Sequence, residues 1–178
     1  PLVERHGVDA VRYYFAREII FGKDGSFTLE QFVERVNMDL ANAFGNLLNR
    51  TIGMMNKYFG GEIPEYKGNV TPFDSELSAL AKAVVSKYET CMDDLRITEA
   101  LITVDELVTR ANKYIDETTP WALAKDETKR EELASVMNHL ANAIYISAQL
   151  YAPVLVTASN KALDQLGVPE SLRGYENV

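Results

Sequence analysis

An all-α fold, a helical bundle of about five to six helices with a small element at its N-terminal end, is what this sequence of 178 residues predicts. Three observations point there. Successive segments repeat apolar residues at helical spacing, cap and stop residues sit at their ends, and the connectors between them are mostly short. The boundary is placed with the small element over residues 1–30 and the helical domain over 31–178.

The elements follow in order. Val8 to Phe15 reads as a short helix with an apolar side, and Gly22, Gly25 and Ser26 mark a loop in which Phe27 suits a brief extended piece. Thr28 with Gln31 has the form of a capping box, opening a long helix to about Phe59 through Leu29, Phe32, Val33, Val36, Leu40, Phe44, Leu47 and Met55. Gly60-Gly61 stops it. Thr71-Pro72 resembles a cap followed by proline in the first turn, and the next helix runs to about Asp94 with Leu77, Leu80, Val84 and Tyr88 inside. A third spans about Thr98 to Glu117 and buries Leu101, Val104, Leu107, Val108, Ala111 and Ile115, until Pro120 stops or bends the chain. A fourth, about Lys129 to Tyr151, carries Leu133, Met137, Leu140, Ile144 and Ala148, and a last amphipathic segment after Pro153 ends at Leu166-Gly167.

Composition narrows the class. Hydrophobic residues at 47% and charged residues at 25% are those of an ordinary globular domain. No apolar run approaches the roughly 20 residues that cross a bilayer, so no membrane is expected as a partner. The single cysteine, Cys91, excludes an internal disulfide framework and fits a reducing, cytoplasmic setting. Pro1 in place of Met suggests an excised domain. The net charge of −8 argues against a general nucleic-acid binder, and DNA is not an expected partner. The acidity is uneven, however: from Asn37 to Gly61 the charged residues are Asp39, Arg50 and Lys57 alone.

Catalytic and metal-binding patterns are missing. Gly60-Gly61 is not followed by the Lys-Ser/Thr start of a phosphate loop. His6 and His139 are far apart without a second ligand at metal spacing, and His139 reads as a structural histidine. Cys91 reads as a buried thiol, and Asp93-Asp94 as a solvated helix end. Nothing here carries a reaction, so no catalytic residue, metal or cofactor is expected in this chain.

What stands out is a polar stripe. Asn42, Asn46 and Arg50 are spaced i, i+4, i+8 and stack on one helix face, away from the apolar row. Asparagine is a mediocre helix former, yet the stretch Asn37 to Asn49 holds four. Amide and guanidinium planes suit the edge of an unstacked base. A solvated face that happens to use asparagine is the alternative, and spacing alone leaves both open. Trp121, the single tryptophan, follows Pro120 at a break between helices, where it either plugs the bundle end or offers its face to a base.

Together these residues resemble the anticodon-binding domain of methionyl-tRNA synthetases, over nearly the whole length. The similarity starts with Gly7-Val8-Asp9-Ala10-Val11-Arg12-Tyr13-Tyr14, a segment of a kind that other class I synthetases share. It continues through Asp39-Leu40-Ala41-Asn42, Gly45-Asn46-Leu47 and Arg50, then Asn112 to Trp121, and closes with Leu166-Gly167. The stripe combined with Pro-Trp is the specific part. The resemblance implies that Trp121 stacks on the first anticodon base, a cytosine, and that Asn46 and Arg50 hydrogen-bond its edge. It further implies that Asn42 helps to read the neighbouring bases, that Pro120 holds the indole, and that Asn112 is a buried partner or minor contact. Residues 1–30 become a stem-contacting element. The partners implied are the CAU anticodon stem-loop of tRNA(Met) and the catalytic domain of the same protein. The parent activity implied is methionine–tRNA ligation, with ATP and magnesium, and zinc where the family carries it, in a catalytic portion upstream of Pro1. Two alternatives stay open: the same domain type from another class I synthetase, and a helical protein-interaction module docking through Trp121 and tyrosines.

Overall fold

A computed structural model describes residues 1–178 and contains helices and turns with no strand. The helices are α1 (Leu2–His6), α2 (Val8–Glu18), α3 (Leu29–Arg35), α4 (Asn46–Phe59), α5 (Asp74–Asp93), α6 (Ile97–Thr118), α7 (Pro120–Leu123), α8 (Arg130–Tyr151) and α9 (Val156–Gln165). Between α3 and α4, Val36–Gly45 is wound as a π-helix, so residues 29–59 make one rod with a wide middle. No helix is long and apolar enough to cross a membrane.

The end signals act as their chemistry requires. The Thr28 hydroxyl accepts the Gln31 amide at 3.2 Å and opens α3. Gly60 closes α4 in the left-handed conformation, and the Gly61 amide returns to the Met55 carbonyl. The Thr71-Pro72 cap is corrected: α5 starts at Asp74, whose carboxylate accepts the Val70 and Thr71 amides at 2.7 and 2.9 Å and the Thr71 hydroxyl. The aspartate folds the incoming turn back onto the helix start, and neither it nor the threonine caps the first amides of α5. Phe27 belongs to no paired strand, since the domain has no second strand for it to pair with, and the backbone is extended at the neighbouring Thr28.

α6 is the central helix, packed by α5, α8, α2, α4 and the π-helical stretch. Every apolar residue expected inside it is buried, as are Leu133, Met137, Leu140, Ile144 and Ala148 of α8. The long rod is different. Phe32, Phe44, Leu47 and Met55 are buried, whereas Leu29 and Val33 are exposed. Asp39, counted in the sequence only as a surface charge, is 9% exposed instead. It falls on the row of Phe32 and Val36, seven and three residues before it, which was the available signal.

Polar groups tie the helices together inside this core. Tyr13 of α2 places its hydroxyl 2.9 Å from both Asp39 and Asp105 of α6, and the Tyr151 hydroxyl of α8 reaches Asp105 at 2.5 Å. Arg17 adds a 3.0 Å ion pair to Asp105. Burial raises the Asp105 carboxyl above its ordinary range, although bonds from Tyr151, Tyr13 and Arg17 oppose the shift. His139 is buried between Ser78 and Asp74, edge-on to Tyr66 and Tyr114, and burial lowers its basicity so that it is neutral at pH 7. Cys91 is buried among apolar residues, and Asp93 and Asp94 are exposed at the end of α5.

Asp74 is fully buried and also accepts the Tyr114 hydroxyl at 2.7 Å. Burial works against its charge, but the bonds from Thr71, Tyr114 and Val70 win and hold its carboxyl below the ordinary range. Asp74→Ala is expected to cost about 3 kcal/mol at neutral pH, because several donors lose one charged acceptor. A carboxyl with lowered folded pKa stabilises above its unfolded value of 3.8 and loses that contribution as pH falls through the lower folded value. Thermal unfolding of both proteins across pH 2–7 is expected to show the gap between them closing only in strong acid.

Candidate nucleic-acid interface

The face formed by the start of α4, the exposed edge of α6 and the turn into α7 gathers the polar stripe and the tryptophan. Thr119 makes this corner: its backbone is left-handed, at φ 43°, a conformation that β-branched residues avoid. The reversal sets Pro120 at the first position of α7 and buries it, while Trp121 points outward and stays 42% exposed. The indole does not plug the bundle end.

Asn42 and Asn46 are exposed, and Arg50 is half-buried. Asn46 and Arg50 do not simply face solvent, however. The Asn46 amide nitrogen donates to the Asn112 Oδ1 at 3.2 Å, and Arg50 Nη2 donates to the Asp116 carboxylate of α6 at 2.6 Å. The expected outward row is therefore corrected: its lower half lies along α6 and is held by it. The Arg50 guanidinium carbon sits 5.9 Å from the centre of the Trp121 ring, so stripe and indole share one surface.

Asn112 decides how Asn46 is presented. Its Nδ2 donates to two backbone carbonyls, Ala43 at 3.0 Å and Val108 at 3.2 Å. Two acceptors on one side force its nitrogen to that side and its oxygen toward Asn46. Asn46 must then turn its own nitrogen inward, leaving its carbonyl oxygen free. The exposed set is an acceptor on Asn46, unused guanidinium donors on Arg50 and the flat face of Trp121. Such a set fits a planar ring with one donor and adjacent acceptors along an edge.

The spacing that suggested the stripe is altered by the winding. Asn42 lies in the π-helical stretch, where each ring holds one more residue, and the Asn46 amide bonds back to the Ala41 carbonyl five residues before it. Four residues then fall short of a full turn instead of overshooting it, so Asn42 is displaced sideways from Asn46. The electrostatics are mildly favourable to an anion. Asp39 is buried and paired, which leaves Arg50 and Lys57 as the exterior charges of residues 37–61, with Asp116 opposite Arg50. Sequence reasoning missed Asp116, one turn before Pro120; its position four residues after Asn112 on α6 was the usable signal. No group of three or more His, Cys, Asp or Glu side chains is arranged to hold a metal ion.

Comparison with known proteins agrees with this fold. A family model described as tRNA synthetases class I (M) matches residues 1–52. That match takes in α1, α2, α3, the π-helical stretch and the first turns of α4, and likens this part of the chain to class I tRNA synthetases. A second, described as the anticodon binding domain of methionyl tRNA ligase, matches residues 63–174, and the chain belongs to this family. It is 53% identical to the methionine–tRNA ligase of Bacillus subtilis (strain 168), matching 99% of this chain and 27% of that protein. It is 54% identical to the enzyme of Enterococcus faecalis (strain ATCC 700802 / V583), with 99% of this chain and 26% of that one. Among solved structures, apo methionyl-tRNA synthetase of Mycobacterium tuberculosis superposes with a TM-score of 0.94 at 34% identity, over 99% of this chain and 36% of that one. The chain thus spans about a quarter of the length of the curated relatives it matches.

An indole standing in solvent is readily checked. Trp121 fluorescence is expected to be quenched efficiently by both acrylamide and iodide, with red-shifted emission. Emission that resists iodide and stays blue would mean a closed corner.

Proposed function

We propose that this domain selects the CAU anticodon of tRNA(Met) for a longer methionine–tRNA ligase. The observation that carries the reading is the enforced orientation of Asn46 beside Arg50 and Trp121. A cytosine stacked on the indole offers its exocyclic amino group to the free Asn46 oxygen, and its ring nitrogen and carbonyl accept from Arg50. Uracil places an acceptor where the amino group was, opposite the Asn46 oxygen, and that mispairing costs on the order of 1–3 kcal/mol. Stacking contributes roughly 1–3 kcal/mol and excludes no base by itself. Specificity therefore lies in the edge contacts and affinity in the ring. Asn42, set to one side by the π winding, faces the neighbouring anticodon bases, and Pro120 fixes the direction of the indole.

Residues 1–30 serve as the stem-contacting element, joined to the bundle through Tyr13. The ligase activity, with ATP and magnesium, belongs to the catalytic portion of the longer protein. No step of the recognition passes through these groups or through zinc. The competing reading, a protein-docking module, makes the Asn46–Asn112 arrangement irrelevant and predicts that RNA does not compete for the Trp121 face.

In the full-length enzyme, Trp121→Ala and Arg50→Gln are each expected to lower aminoacylation efficiency on tRNA(Met) by about ten- to a hundredfold, equivalent to about 1.4–2.8 kcal/mol. Arg50→Gln is also expected to narrow the preference for cytosine over other first bases. Both proteins are expected to keep native helical circular dichroism. Unchanged efficiency and preference in the two variants would remove the basis for the assignment. Titration of the isolated domain with a CAU stem-loop, following Trp121 emission, is expected to show weak binding that falls as salt is raised.

A further inference from the structure

Asp39 is a buried carboxylate that the proposed contacts with RNA do not use. It lies inside the π-helical stretch, three residues before Asn42, where a helix in the wide winding is rare and is associated with functional sites. It is held from three sides: the Tyr13 hydroxyl at 2.9 Å, Arg35 Nη1 at 3.4 Å and Arg17 Nε at 3.9 Å. Arg35 is itself tied to Glu18 at 2.5 Å, and Arg17 to Asp105 at 3.0 Å. The upper end of the stretch is thus pinned to α2 and, through Asp105, to α6. Its lower end is pinned by the Ala43 carbonyl, which accepts from Asn112. Between these two anchors the backbone has little freedom to tighten into an ordinary α-helix.

From this geometry we infer that Asp39 is a positioning residue for base selection, keeping the π winding that aims the Ala43 carbonyl at Asn112 and so fixes which way Asn46 faces. This rests on the proposed reading of the anticodon. The chain of cause is short. Without the pin at residue 39, the stretch rewinds toward i→i−4 pairing and rotates the Ala43 carbonyl relative to α6. Asn112 then loses one of the two acceptors that dictate its orientation. Once Asn112 is free to turn over, so is Asn46, which can then present either nitrogen or oxygen. Uracil gains a partner for its carbonyl, while guanine still sets its ring N–H and amino donors against the donors of Arg50.

The signature is consequently a selective loss. In the full-length enzyme, Asp39→Asn and Asp39→Ala are compared with Trp121→Ala and with Leu163→Ala, a core truncation in α9 remote from this face. Asp39→Asn keeps the shape and an acceptor for Tyr13 but removes the charge facing Arg17 and Arg35, so it carries the test if Asp39→Ala does not fold. The readouts are aminoacylation efficiency on tRNAs with cytosine, uracil or guanine at the first anticodon position, and tRNA-independent methionine activation. Asp39 variants are expected to lower the cytosine-over-uracil ratio at least fivefold. The cytosine-over-guanine ratio and methionine activation should stay within twofold. Leu163→Ala is expected to lower the melting temperature and leave both ratios unchanged. A cytosine-over-uracil ratio within twofold of wild type in both Asp39 variants, with Trp121→Ala impaired, overturns this inference alone. If Trp121→Ala is also unimpaired, the anticodon reading falls and this inference with it. A uniform loss on all three tRNAs overturns it as well, since that is what a merely structural role produces.

Discussion

Two carboxylates placed inside a helical bundle are tolerable only if hydroxyls and guanidinium groups meet them there, and this constraint organises the domain. Asp39 and Asp105 come from elements distant in sequence, and each alone would lose its solvation without compensation. Tyr13, Tyr151, Arg17 and Arg35 supply the compensation, and in doing so they fix α2, α3, the π-helical stretch, α6 and α8 against one another. An apolar junction of the same volume would hold the helices together, but it would accept several registers. Directional bonds accept one, because a hydroxyl 2.9 Å from two acceptors cannot slide by a turn without leaving a buried charge unmet.

In the proposed reading, the face of Asn46, Arg50 and Trp121 takes its geometry from that junction. A base is told from its neighbours by the positions of donors and acceptors along an edge, so a flexible amide discriminates poorly. Asn46 is made inflexible at second hand. Backbone carbonyls orient Asn112, Asn112 orients Asn46, and the winding of the helix decides where one of those carbonyls points. Thr119 performs the corresponding task for the indole, since its left-handed backbone turns the chain so that Pro120 is buried and Trp121 is not. The strain of that conformation is a local cost at a site where the direction of one side chain matters.

The overall acidity of the domain is consistent with this mode of binding. An acidic body with two exterior cations over residues 37–61 attracts phosphates weakly, so the proposed affinity rests on stacking and edge contacts. The Arg50–Asp116 pair further reduces non-selective attraction, while it holds the guanidinium beside the ring.

Much of the architecture was legible residue by residue. The apolar rows of α6 and α8 read correctly because both helices are surrounded by neighbours, and a helix packed on several sides shows its burial pattern directly in its periodicity. Gly60, Pro120 and the Thr28 cap act through local backbone chemistry, which needs no partner to be read. The stripe of Asn42, Asn46 and Arg50 and the corner at Trp121 were also visible, as residue types ill suited to the places they occupy. The sequence by itself therefore determined the long helices, most of their ends and the identity of the groups on the face. Tertiary structure alone decided that Asp39 is buried, that residues 36–45 are wound wide, and that Asn46 is held by Asn112 and Arg50 by Asp116. The reason is physical: each of those outcomes is accompanied by hydrogen bonds between residues 26 to 69 positions apart, and such bonds leave no periodic trace along the chain.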